Sequence, residues 1–180
     1  MSRSRPLASV CLQEDSKVSF PARVVMKNDL PAILIASVHD VFLSFLAIEL
    51  FPGPFLHTVN IEQTKKQTED VVTAVVGFSG AINGRISFSC SLTLALQLSS
   101  SVTGKTFSTL STEASDVFAD LVNLVASWFR VNAADHGKIS TVPAIVFSES
   151  WSDRVEQDFS SGFRQTFQIN DEVIIIDCFY

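Results

Sequence analysis

Positive charge is scarce in this chain. Thirteen Lys and Arg stand against nineteen Asp and Glu over 180 residues, a formal net charge of -6. A general nucleic-acid binder needs the opposite balance, because its phosphate contacts come from clustered Lys and Arg. Cysteine is scarce too. Cys11, Cys90 and Cys178 are odd in number, and no pair has the close spacing of a zinc knuckle or a redox motif. They read as buried free thiols in a reducing compartment. A signal peptide is also missing: "MSRSRPLASVCLQED" begins basic, but its apolar run is too short. "LASVC" has the outline of a lipoprotein cleavage site, yet Val10 is too large for the position before the Cys.

The longest apolar stretch is "PAILIASVHDVFLSFLAIELF", residues 31–51. His39 and Asp40 stand at its centre and Glu49 near its end. An Asp in mid-bilayer costs about 2.5–3.5 kcal/mol. A helix in a soluble core fits this composition better, so the expected setting is cytoplasmic, with no membrane partner.

Apolar material is plentiful. Hydrophobic residues make up 47 % of the chain, with fifteen Phe among them, enough for a sizeable core. The length suits one domain. Residues 1–20 are polar and unpatterned and read as a tail or arm; residues 21–180 read as a single domain.

Within that domain, "VSFPARVV" has the composition of a short strand. A first helix is expected over about 30–50, capped by Asn28 or Asp29 and ended by "FPGPF". "EQTKKQTED" (62–70) reads as a charged loop. "VVTAVVGFSGAINGRISFSCS" (71–91) reads as a hairpin. A three-residue loop, Ile82-Asn83-Gly84, would pair Phe78 with Phe88 and Val76 with Cys90, giving one apolar and one serine-bearing face. It would also place Gly84 at a left-handed position. A second helix is expected over about 92–103, stopped by Gly104. A third follows Ser111 or Thr112 and runs to about 133. "TVPAIVF" (141–147) reads as a strand and "SESWSDRVEQDFSSGF" as a polar connection. "FRQTFQI" and "VIIIDCFY" form a closing hairpin around Asn170-Asp171-Glu172. The expected class is α+β: a largely antiparallel sheet with three main helices packed on it.

Several familiar motifs fail. "SSSVTGKT" ends like a phosphate loop, but Ser99 stands where its first Gly belongs and the segment follows a helix. "GFSGA" (77–81) lacks the second Gly of a nucleophile elbow and lies in a hairpin. His39, His57 and His136 have no carboxylate or Cys at ligand spacing, so no metal and no cofactor of the chain's own is expected.

One helix face remains. At about 100° per residue, Asp116, Asp120, Asn123 and Ser127 fall within a narrow stripe, opposite an arc containing Phe118, Val122, Val125 and Phe129. Outward polar residues are ordinary on a surface helix, and Asp116 in the first turn suits the helix dipole. The stripe is unusual in lacking Lys, Glu and Gln, and in placing Asn, a mediocre helix former, mid-helix. A carboxamide so placed can hold a water by accepting from it and donating beside it.

Here the sequence resembles the CheC/CheX/FliY chemotaxis phosphatases, CheX most of all. The family pattern is Asp or Ser, three residues, Glu, two residues, Asn, then about twenty residues to a Pro. This chain reads Asp116, "VFA", Asp120, "LV", Asn123, then nineteen residues to Pro143. The order of the other segments also matches, over roughly residues 28–180: the long first helix, the "GFSGAINGRISFS" hairpin, the helix ending at Gly104, and "TVPAIVF". The resemblance implies a CheX-like fold and dephosphorylation of a phosphorylated response-regulator receiver domain. Asn123 would orient the attacking water, and Asp120 would pair with the receiver's Lys. Asp116, Ser127 and Pro143 would face the partner, which would supply the phospho-Asp and the Mg²⁺. The first helix, "SVHDVFLSFLA", has no acid–x–x–Asn, so a single site is implied, and CheX-like proteins tend to be homodimers. The family acid is Glu. Asp120 is one methylene shorter, about 1.5 Å of reach. The alternative implied by that difference is a receiver-binding or dimerisation module without turnover.

Overall fold

The computed structural model describes residues 29–57, 70–148 and 161–180. Residues 1–28, with the expected arm and the "VSFPARVV" strand, lie outside it. So do most of the charged loop and most of the polar connection.

The described elements run α1 (Leu30–Leu46), β1 (Phe51–His57), β2 (Val71–Gly80), β3 (Gly84–Ser91), α2 (Leu92–Thr103) and α3 (Thr112–Asn132), then β4 (Ile139–Thr141), β5 (Ile145–Phe147), β6 (Gly162–Ile169) and β7 (Glu172–Phe179). A single 3-10 turn, Ala134–His136, follows α3. The seven strands form one sheet in the order β1-β6-β7-β3-β2-β4, with β5 also on β2, and all pairs are antiparallel. This is the expected α+β class.

Alternation sorts the two sheet faces. Val72, Ala74, Val76, Phe78, Ile86, Phe88, Cys90, Phe163, Phe167, Ile174, Ile176 and Cys178 join Leu34, Val38, Phe42 and the inner side of α3 in one buried core. The other face carries Thr73, Arg85, Ser87, Arg164 and Asp177, also buried. There Arg164 grips Asp177 with two hydrogen bonds, Nε to Oδ1 at 2.6 Å and Nη2 to Oδ2 at 2.9 Å. Arg85 lies over the ring of Phe179, 4.7 Å from its centroid.

α2 and α3 begin as expected. Ser91 and Ser111 accept hydrogen bonds from the amides of Leu94 and Ala114, and Gly104 takes the left-handed conformation that ends α2. The closing hairpin turns on Asn170, at φ 52, with Ile169 paired to Glu172.

Three expectations are corrected. First, α1 stops at Leu46, where Ala47 turns left-handed, and "FPGPF" opens an edge strand. Proline is compatible with that edge position, and the ladder shifts register between Pro52 and Phe55. Asp29 stands at the N-cap but makes no capping bond; Pro31 starts the helix.

Second, the 71–91 hairpin has a different register. Phe78 faces Gly84, Val76 faces Ile86, and Val72 faces Cys90. The last residues of β2 instead pair with β4, and the Asn83 side chain accepts from the Gly80 amide at 3.2 Å. The left-handed residue is Gly80, at φ 136. Gly84 is needed for space: a Cβ there would strike the Phe78 ring and the Phe179 carbonyl. The register differs from expectation by an even number, so the apolar and serine faces stay as expected.

Third, "TVPAIVF" is not one strand. Its central residues, Val142-Pro143-Ala144, leave the ladder between β4 and β5.

Candidate functional site

α3 has core beneath it and neighbours on both flanks. Phe118, Leu121, Val122, Val125, Ala126 and Phe129 are buried. The two upper flanks differ. On the α1 side, Asn132 Nδ2 donates to Ser37 Oγ at 3.1 Å, and Trp128 meets Phe45 edge-on, 5.9 Å between centroids. Periodicity puts Trp128 on the apolar side of the helix, yet it remains 38 % exposed, because its Phe45 partner is itself a surface side chain. Ala126, small enough to leave a low flank beside the stripe, is buried.

The stripe lies between these flanks. Asp116 and Asp120 are exposed, and neither forms an ion pair among the described residues. Ser127 is half-buried, and its hydroxyl donates to the Asn123 carbonyl at 2.8 Å, back along its own helix. Asn123 is half-buried too, and it is anchored. Its Oδ1 accepts from the backbone N–H of Ala144 at 2.8 Å. Only an oxygen can face that donor, so the contact itself fixes which side of the carboxamide points inward. The Nδ2 amide has no partner among the described residues and keeps two hydrogens to offer.

The Ala144 amide is available because of a bulge. Phe78 pairs with Thr141 and Val75 with Ile145, so Val76 and Gly77 on β2 face three residues, Val142, Pro143 and Ala144. Val142 N still donates to Gly77 O at 3.0 Å. Pro143 has no N–H to give. The next amide turns towards α3.

Thus Asp116, Asp120 and Asn123 share one outward face, and Pro143 sits exposed beside it in the bulge. Ser127 lies on the stripe with its hydroxyl turned away from solvent. The Ala144 N–H was not anticipated. Its available signal was Pro143 inside a strand-like run, which marks a break in the ladder. His39 lies near Asp40 on α1 (4.0 Å), away from the stripe. Among the described residues, no three His, Cys, Asp or Glu are grouped so as to hold a metal ion, and no helix is long and apolar enough to cross a membrane.

The face is therefore an acid–amide pair on one turn of helix, with its amide oxygen held by the Ala144 N–H and its Nδ2 without a partner among the described residues. It has carboxylates and a hydrogen-bond donor, but no nucleophile and no base held against one. Such a surface can complete a site on another molecule.

Comparison with known proteins agrees with this class of α+β domain. Residues 72–156 match the family described as chemotaxis phosphatase CheX. The fold is shared with chemotaxis protein CheX from Vibrio vulnificus, at 18 % identity and a TM-score of 0.70, over 83 % of this chain and 97 % of that one. It is shared with CheX from Desulfovibrio desulfuricans at 16 % identity, a TM-score of 0.65, and the same coverages of 83 % and 97 %. It is shared too with the CheX of Borrelia burgdorferi, solved in a complex with CheY, BeF3 and Mg, at 17 % identity and a TM-score of 0.67 over 84 % and 97 % of the two chains. No curated protein matches the chain. The segment 72–156 thus resembles the CheX family, and the chain shares the fold of CheX proteins.

Proposed function

We propose that the chain is a CheX-like phosphatase that removes the phosphoryl group from the phospho-aspartate of a response-regulator receiver domain. The observation that carries this reading is the Asn123 carboxamide, its oxygen held by Ala144 and its NH₂ left without a partner among the described residues, on the helix face that carries exposed Asp120. The CheX–CheY complex among the relatives supports a receiver as partner.

The chemistry asks little of this chain. An acyl phosphate is already activated, and phosphoryl transfer depends mainly on positioning and charge stabilisation. One lone pair of a water accepts from Asn123 Nδ2, and the other attacks phosphorus in line. The bond from phosphorus to the receiver's carboxylate oxygen breaks, leaving that carboxylate and inorganic phosphate. A water proton departs to phosphate or solvent. Asp120 pairs with the receiver's Lys, and Asp116 adds negative charge to the docking face. The receiver would supply the Mg²⁺ that offsets phosphoryl charge, so no cofactor of this chain's own is proposed. A cytoplasmic setting goes with such a partner.

The test is the lifetime of a phosphorylated receiver. Wild type should shorten it, and Asn123→Ala should not. Equal rates for the two would refute the assignment. A second reading, a receiver-binding module without turnover, rests on Asp120 standing where the family has Glu. Homodimerisation belongs to either reading and is supported by exposed Leu43, Phe45 and Val131 on α1 and α3; sedimentation at micromolar concentration checks it.

A further inference from the structure

We infer that the bulge at Val142-Pro143-Ala144 is a positioning device for Asn123, with Pro143 acting through the Ala144 amide and not as a contact for the partner. The inference rests on the phosphatase reading for its kinetic consequence, but the device itself is visible without it.

The device originates in the ladder. An uninterrupted edge strand would have kept two residues opposite Val76 and Gly77. Three stand there, and the middle one is proline. Bulges of this kind leave a residue unpaired and re-aim the neighbouring groups of the strand. Here the re-aimed group is a backbone N–H, and it reaches a side chain 21 residues earlier, on α3, at 2.8 Å.

Its effect is on a torsion. The final torsion of an Asn side chain is broad, so a free carboxamide turns and presents oxygen or nitrogen with little preference. A donor fixed beneath Oδ1 removes that freedom. The NH₂ then faces outward before any partner arrives, which is the pre-organisation that positioning catalysis needs. The donor is backbone, so no side-chain rotamer has to be ordered to hold it. Gly77 contributes from below: a Cβ there would lie 3.1 Å from Val142 Cγ2, so the missing side chain leaves room for the bulge.

A merely structural hydrogen bond would tie α3 to the sheet and contribute stability alone. The two roles separate when the donor is removed and the fold is kept. Ala144→Pro in the full chain removes the N–H at a position outside the ladder. Expected is a fall in kcat of about 10–100-fold, with KM for the phosphorylated receiver within about twofold of wild type. The two Asn123 NH₂ resonances of ¹⁵N-labelled protein should also move towards random-coil shifts, with a lowered heteronuclear NOE, as the side chain becomes mobile. If Ala144→Pro fails to fold, replacing the peptide bond before residue 144 by an ester removes the same hydrogen and gives the same readout.

A folded variant with wild-type kcat overturns the inference while leaving the phosphatase reading intact. If wild type itself shortens no receiver's lifetime, the phosphatase reading fails, and the NH₂ resonances decide the device alone. Unchanged shifts and heteronuclear NOE in the ester protein overturn it; a move towards random-coil shifts with a lowered NOE supports it.

Discussion

Asn123 and Ala144 meet across the seam between α3 and the sheet edge, Oδ1 to N–H at 2.8 Å. One atom of the carboxamide is committed to the fold, and the other end is left for chemistry. Substitutions at position 123 therefore have two separable effects.

Asn123→Ala removes both. Loss of the acceptor leaves a part-buried N–H unpaired and should cost about 1–2 kcal/mol. In a chain of this length that corresponds to a fall in Tm of roughly 2–8 °C. Dephosphorylation should drop by about 100-fold or more. Asn123→Asp still accepts from Ala144 but has no NH₂, so it should melt near wild type and be equally inactive. Calorimetry beside a receiver-lifetime assay separates the two.

Asp120→Glu should be nearly silent in stability, within about 0.5 kcal/mol, because the side chain is exposed. Its effect should appear in turnover. Restoring about 1.5 Å of reach should raise the rate about tenfold or more, since ~1 Å errors of placement cost up to a hundredfold. No gain in an active wild type would show that the shorter acid already reaches its partner. No turnover by either protein would leave the docking module as the reading to pursue.

Asp177→Asn breaks the paired grip on Arg164 across the far face of the sheet, where the two residues are 6 % and 7 % exposed. Separating buried charges is more damaging than replacing both. A loss on the order of 3 kcal/mol is expected, read as a lower midpoint in urea. Arg164→Met combined with Asp177→Leu should recover much of it. If the double variant is worse than the single one, the pair is more than charge compensation.

Cys90 should be inert in the folded protein. Burial first, and Glu172 second, push its thiol from the ordinary 9.0 up to about 12; Cys178 is raised likewise, by burial and then by Asp177. Neither should react with iodoacetamide at pH 8 until denaturant is added, which peptide mapping can track. Stability then depends on pH with a definite sign. Above pH 9 the unfolded chain loses the Cys90 proton and the folded chain keeps it, so the unfolded state binds fewer protons. Stability is full below pH 9 and declines between about 9 and 12. A urea midpoint that rises over that interval would contradict this.

The elements most legible in sequence were those with local signals. Ser111 and Gly104 bound their helices because capping chemistry is decided within a turn of chain. The stripe on α3 was legible because 3.6-residue periodicity is intrinsic to the helix. What could not be read depends on partners far along the chain. The β2–β3 register brings Gly84 opposite Phe78, where the missing side chain makes room for Phe78 and Phe179, strand-to-strand packing that no local signal gives. "FPGPF" stopped a helix in sequence but entered the sheet as an edge, since proline excludes a helix interior without excluding an edge strand. At the site, Asp120 and Asn123 were visible and the Ala144 amide was not: a backbone group carries no sequence letter, and its direction was set by a bulge.

That bulge has a genetic consequence. An in-frame loss of any single codon among 142–144 would leave two residues opposite Val76 and Gly77, close the ladder with Ile145 still opposite Val75, and take away the out-of-ladder amide that holds Asn123. At this edge, a three-nucleotide deletion should therefore be more harmful than most missense changes at the same codons.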